Sequence, residues 1–176
     1  MKVLLPEAVV ETLYGELRRA GRREIGGILV GDHVEGATFR VADISVQRSG
    51  GSVAYFVRDP AHHREFLDQF FARTGHDYRR FNYLGEWHSH PGAPAVPSTT
   101  DCESMARLVA DPDTNVNFAV LLVVRLHAWW GLQLSGTAFQ DGHSPDPADL
   151  APEASGRRLR RFQQVRKVPR RQVRWI

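Results

Sequence analysis

The sequence predicts a single α/β domain, a mixed β-sheet flanked by helices, with a basic C-terminal tail. Three observations predict it. Apolar residues switch repeatedly between helical and strand spacing, in the order α-β-β-β-α-β-α-β-β, which requires helices laid against one sheet. The length of 176 residues suits one domain with one core. The composition changes abruptly after residue 140, first to the linker-like DGHSPDPADLAPEASG of 141–156 and then to an arginine-rich stretch over 157–176.

Each element has a local reason. Residues 6–20, PEAVVETLYGELRRA, space Val9, Leu13, Leu17 and Ala20 three to four apart, and Pro6 suits a first helical turn. GRREIGGILVGD gives a strand from Ile25 to Val30 and a turn at Gly31-Asp32. ATFRVADISVQ alternates as a second strand, and the turn RSGGS leads to a third, VAYFV. Asp59-Pro60 opens a helix through HHREFLDQFFAR that stops near Thr74-Gly75. FNYLGEWHSH is a strand, STTDCESMARLVA a helix, NVNFAVLLVVRLH a long strand of buried type, and AWWGLQLSGTAFQ another strand. The tail is either a short helix broken at Pro169 or a disordered arm.

Composition narrows the function classes. Cys102 is the only cysteine, so no intrachain disulfide can form. With no signal-like start in MKVLLPEAVV, a reducing, cytoplasmic setting is expected. A cytidine-deaminase zinc site, which needs C-x-x-C, is excluded. No apolar run approaches the roughly 20 residues of a membrane helix, so no membrane partner is expected. Residues 157–176 hold nine basic groups and no acid, leaving the preceding body with 14 basic and 20 acidic groups. The pI of about 9.4 therefore belongs to the tail and is weak support for nucleic-acid binding by the domain.

The chemistry concentrates in GEWHSHPGAPAVPSTTD, residues 85–101. On a strand, His88 and His90 share a face about 6–7 Å apart, a spacing that suits two imidazoles on one metal ion. Asp101 is a candidate third, anionic ligand if the proline-rich loop brings the next helix back beside the strand. Two histidines and a carboxylate leave a coordination position open, as in catalytic zinc sites. Taken singly, each half has a plainer reading. An H-x-H pair is more often surface or core, and Ser98-Thr-Thr-Asp101 is a good capping box. His62 and His63, in a first helical turn, read as solvated, Trp87 as core, and Cys102 as a half-buried helix thiol.

Together the halves form a more specific pattern. His-x-His, seven residues, then Ser-x-x-Asp, with Pro91 after the second histidine and the Pro97-Ser98 pair, resembles the JAMM motif of the JAB/MPN metalloprotease family. The family also carries a glutamate just before a small-residue step near its first strand, and Glu24 in REIGGILVGD stands there. The resemblance covers roughly residues 1–140. It implies a curved, largely antiparallel sheet, zinc (Zn2+) held by His88, His90 and Asp101, Glu24 as general base and Ser98 as oxyanion donor. It further implies cleavage after the C-terminal glycine of a ubiquitin-like protein, by deconjugation or precursor processing.

The stretch YLGEWHSHP and the compact size are similar to bacterial stand-alone JAB proteins, which accompany E1- and E2-like enzymes in antiphage defence and ubiquitin-like conjugation operons. Two alternatives stay open at this point: a non-catalytic module that binds the modifier or a partner enzyme, and a peptidase that processes a sulfur-carrier protein.

Overall fold

The structure, a computed structural model, describes residues 1–48, 60–127, 131–153 and 162–165. The expected third strand, residues 53–57, lies outside them, as does most of the arginine-rich tail. The chain opens with a strand that the sequence reading does not anticipate, β1 (Lys2–Pro6), whose Val3 and Leu5 are fully buried. Next comes α1 (Glu7–Ala20), with Pro6 at its N-cap and its inner face made by Val9, Val10, Leu13 and Leu17. Gly21, at φ +64°, ends the helix and returns its N–H to the Leu17 carbonyl at 3.1 Å.

β2 (Gly26–Glu35) is longer than expected. The turn expected at Gly31-Asp32 is strand instead, and both residues are needed there. A Cβ on Gly31 would meet the Leu84 side chain at 2.9 Å. Asp32 is buried because its carboxylate accepts from Arg80 Nε at 2.9 Å and from Arg40 Nη1 at 3.3 Å. The chain turns instead at Gly36, φ +49°, into β3 (Thr38–Ile44). Then come α2 (Pro60–Arg73), β4 (Phe81–Ser89), α3 (Thr99–Ala110), a 3₁₀ turn at Pro112–Thr114, β5 (Phe118–His127) and β6 (Gly131–Gln140).

The segment expected to be a linker carries two strands, β7 (Asp146–Pro147) and β8 (Asp149–Glu153), and the tail contributes β9 (Phe162–Gln164). β8 runs parallel to β1, from Lys2 opposite Asp149 to Pro6 opposite Glu153, while β7 pairs with β6. Their Asp- and Pro-rich composition hides them because pairing uses the backbone, and proline is tolerated on edge strands.

The sheet order is β7-β6-β5-β4-β2-β3-β1-β8, with β9 also on β6. β7 and β8 are separated only by Ala148, whose N–H reaches the Gly136 carbonyl at 2.9 Å. One short segment thus spans both ends of the order, and the sheet curves until nearly closed. The sheet is mixed, and its longest ladders, β5–β6 and β2–β4, are antiparallel. No helix among the described residues is long and apolar enough to cross a membrane.

β5 is buried on both faces. Val120, Leu122 and Val124 pack with α1 and Trp87, while Ala119, Leu121 and Val123 pack with Met105 and Val109 of α3. Its neighbour β4 is bent at a register shift opposite Leu29 and Val30, where Gly85 sits at φ +149°. A Cβ there would lie 1.9 Å from the Val120 carbonyl oxygen. This close approach sets the line along which β4 continues to its histidines. Gly85→Ala should therefore destabilise the fold by about 3 kcal/mol or more, from backbone strain and overpacking combined. Denaturant unfolding checks this, and an unchanged midpoint would contradict the role given to Gly85.

Candidate metal centre

The centre forms where β4 ends. His88 and His90 project from the same face of the strand, and Trp87 between them is fully buried on the other, its Nε1 donating to the Ser45 carbonyl at 2.8 Å. Ser89 also points inward. Its hydroxyl accepts from the Ile25 N–H at 3.0 Å, and its own N–H donates to the Ile25 carbonyl at 2.8 Å. This exchange ties the start of β2 to the end of β4 and sets Gly26 opposite His88. Glu24, one residue before that tie, is held within electrostatic reach of His88.

The proline-rich loop returns the chain to the first turn of α3. The capping box expected there is present. The Asp101 N–H donates to Ser98 Oγ at 3.1 Å, and the Ser98 N–H donates to Asp101 Oδ2 at 2.6 Å. The same Oδ2 lies 3.5 Å from His88 Nε2 and 3.7 Å from His90 Nε2, and the two Nε2 atoms are 3.1 Å apart. Four tetrahedral ligands about 2.0–2.1 Å from a zinc ion stand roughly 3.3 Å from one another. The three donors thus already have the spacing of one face of such a tetrahedron, and they fit a metal ion.

Their protonation suits the same purpose. His90 Nδ1 lies 3.0 Å from the Pro94 carbonyl, so that nitrogen carries the proton and Nε2 presents its lone pair. Burial, helped by the neighbouring His88, pushes the His90 pKa down and favours the neutral, ligating imidazole. Burial alone would raise the Asp101 carboxyl. The hydrogen bond and charge of His88 and the Ser98 hydrogen bonds outweigh it and hold Asp101 well below the usual carboxylate range. Glu24 moves the other way. Burial raises its pKa, the Asp101 charge adds to this, and His88 offsets part of it.

The structure thus brings His88, His90 and Asp101 together, sets Ser98 at the helix cap and places Glu24 within electrostatic reach of His88 and Asp101. Cys102, next to Asp101, is half-buried, and burial together with the Asp101 and Glu103 charges pushes its thiol up, away from thiolate chemistry. His63 departs from expectation. It is 3% exposed rather than solvated, with Nδ1 2.9 Å from Ser45 Oγ and Nε2 3.1 Å from Gln47 Oε1. This pins α2 to the end of β3, and the partners, 16–18 positions away in sequence, gave no local signal. The His62 side chain lies outside the described residues.

Fold and site together define a class, an α/β domain in which two histidines at the end of a strand and a helix-capping aspartate could hold one metal ion. Residues 6–133 match the family described as prokaryotic homologs of the JAB domain, and the chain belongs to that family. It is 27% identical over 146 residues to a CD-NTase/cGAS isopeptidase of Enterobacter hormaechei, covering 81% of this chain and 78% of that one. A CD-NTase/cGAS isopeptidase of Vibrio cholerae is 32% identical over 110 residues, or 61% of this chain and 66% of that one. A probable metalloprotease of Sinorhizobium fredii is 28% identical over 142 residues, covering 73% and 83%. Among solved structures, protein DSY2949 of Desulfitobacterium hafniense shares the fold, with a TM-score of 0.62 at 21% identity over 86% of this chain and 92% of that one.

The cap can be separated from the metal chemistry. Ser98→Ala removes the side-chain acceptor for the Asp101 N–H and should cost about 1 kcal/mol of stability, seen as a lower thermal midpoint in metal-free protein. An unchanged midpoint would mean that the cap contributes nothing to α3.

Proposed function

We propose that this protein is a zinc-dependent isopeptidase that cleaves after the C-terminal glycine of a ubiquitin-like protein, removing it from a conjugate or processing its precursor. The observation that carries the reading is the convergence of His88 Nε2, His90 Nε2 and Asp101 Oδ2 within 3.1–3.7 Å of one another beside a carboxyl, Glu24, that burial has made more basic. The substrate class is supported by the isopeptidase names of two relatives and the metal by the metalloprotease name of a third. A bacterial antiphage or ubiquitin-like conjugation system, with E1- and E2-like partner enzymes, is the setting that those names favour.

His88, His90 and Asp101 would hold the ion. Zinc bound there supplies Lewis acidity, acidifying water and polarising the scissile carbonyl. Glu24 takes a proton from the attacking water as the C–O bond forms, then returns it to the nitrogen as the C–N bond breaks, so an amine leaves and a carboxylate remains. The Ser98 hydroxyl accepts from the Asp101 N–H, and its own O–H, which helps stabilise the Asp101 carboxylate, would turn to the oxyanion as that charge develops.

Two measurements test this. A fusion in which an amide follows the modifier's terminal glycine should be cleaved by zinc-loaded protein. Cleavage should stop on chelation, and Glu24→Gln should reduce it by about 10²–10⁴-fold while zinc stays bound. Undiminished cleavage by Glu24→Gln would remove Glu24 from the mechanism. In metal-free protein the Glu24 carboxyl should titrate above its ordinary 4.5, because burial favours its neutral form. Zinc addition should move that midpoint down, since a nearby cation favours the anion. Carbon-detected NMR of the side chain reads both, and a Glu24 midpoint indifferent to zinc would place that residue away from the ion.

A further inference from the structure

The loop joining the two halves of the metal centre is PGAPAVP, residues 91–97. Pro91, Pro94 and Pro97 have no N–H, so the loop has few means of holding itself by its own backbone. One internal bond is present, from the Val96 N–H to the Pro94 carbonyl at 2.8 Å. That same carbonyl faces His90 Nδ1 at 3.0 Å and so fixes which nitrogen of His90 faces the metal position. Something outside the loop must hold the carbonyl in place.

Arg125 is at the right position. Parallel pairing sets His88 beside Val123 and Ser89 beside Val124, and the His90 N–H then donates to the Val124 carbonyl at 2.8 Å. Arg125 is the next residue of β5, alongside His90. Its Nη1 donates to the Ala93 carbonyl at 3.1 Å, the peptide immediately before Pro94. The side chain is half-buried at a small cavity of about 40 Å³ bordered by Gly21, Ser89 and Pro91. Its Nε is buried there with no hydrogen-bond partner among the described residues. An unsatisfied buried donor costs about 1–3 kcal/mol, so stability alone is a poor reason for an arginine here.

We propose that Arg125 is a positioning residue for the metal centre. By anchoring the Ala93 carbonyl it fixes the following Pro94 carbonyl, which in turn sets the tautomer and ring plane of His90. The proposal rests on the reading of His88, His90 and Asp101 as metal ligands, and it makes a separate claim about metal-free protein.

Arg125→Met keeps the length and apolar stem of the side chain and removes its donors. Arg125→Lys keeps a charge and a donor. Nitrogen NMR of the His90 ring in metal-free protein should show one tautomer, protonated at Nδ1, in the parent and in Arg125→Lys, and a mixture in Arg125→Met. Zinc affinity, measured by chelator competition, should fall about tenfold or more in Arg125→Met and be largely restored in Arg125→Lys. The visible spectrum of the cobalt-loaded protein should shift in step. A His90 tautomer and a zinc affinity both unchanged in Arg125→Met would overturn the proposal. A parent protein that binds no zinc would overturn the metal reading, while the tautomer measurement still decides whether Arg125 orders the loop. If Arg125→Met does not fold, Arg125→Gln, a shorter donor, should show a partial loss in both readouts, and parent-like values there would count against the proposal.

Discussion

One oxygen, Asp101 Oδ2, serves two structures. It accepts the Ser98 N–H at 2.6 Å and so closes the first turn of α3, and it faces the Nε2 atoms of His88 and His90. A carboxylate at a helix N-terminus is favoured by the unpaired N–H groups and the dipole. That local preference does for folding what a ligand does for a metal, because it keeps a buried-side carboxylate ionised. The helix therefore supplies an ordered anion to the site before any cation arrives, and the cost of orienting it is met by the cap.

For this to matter, the helix must start beside the end of β4, and the sheet arranges that. β4 lies between β2 and β5, so both of its edges are paired and its direction is fixed. The parallel β4–β5 pair requires a crossover, and α3 is that crossover, packed through Met105 and Val109 onto Leu121 and Val123. Ser89 then joins β4 to the start of β2 on the face away from the histidines. The three candidate metal donors, the cap and Glu24 thus come from three chain segments whose relative positions follow from one strand being paired on both sides.

Legibility in the sequence follows how local each determinant is. His88 and His90 obey the two-residue period of a strand, and Ser98 and Asp101 obey the three-residue spacing of a cap, so four of the five residues can be seen in a 17-residue window. Glu24, beside Arg22 and Arg23, reads as an exposed charge unless the downstream motif is taken with it. β8 escapes because its partner lies at the far end of the chain, Asp149 against Lys2, and β1 because both its partners, β3 and β8, lie beyond α1, while backbone pairing leaves no composition signature. Gly31 reads as a turn, although its lack of a side chain serves close packing against Leu84 inside a strand. His63 reads as solvated because Ser45 and Gln47, which bury it, lie on another element.

Two carboxyls share this site, and their surroundings drive them apart. Asp101 has hydrogen bonds from Ser98 and the imidazole of His88, and its charge is favoured despite burial. Glu24 has burial and a neighbouring anion, and its charge is disfavoured. A group whose charge is stabilised by its neighbours is suited to hold a cation, while one whose neutral form is favoured by burial is better suited to take and return protons. The proposed roles of Asp101 as ligand and Glu24 as base thus have the support of environment as well as of motif. It also explains why the two cannot exchange roles. Moving the cap from Asp101 would remove what keeps it anionic, and Glu24, ahead of β2, has no helix terminus to take its place.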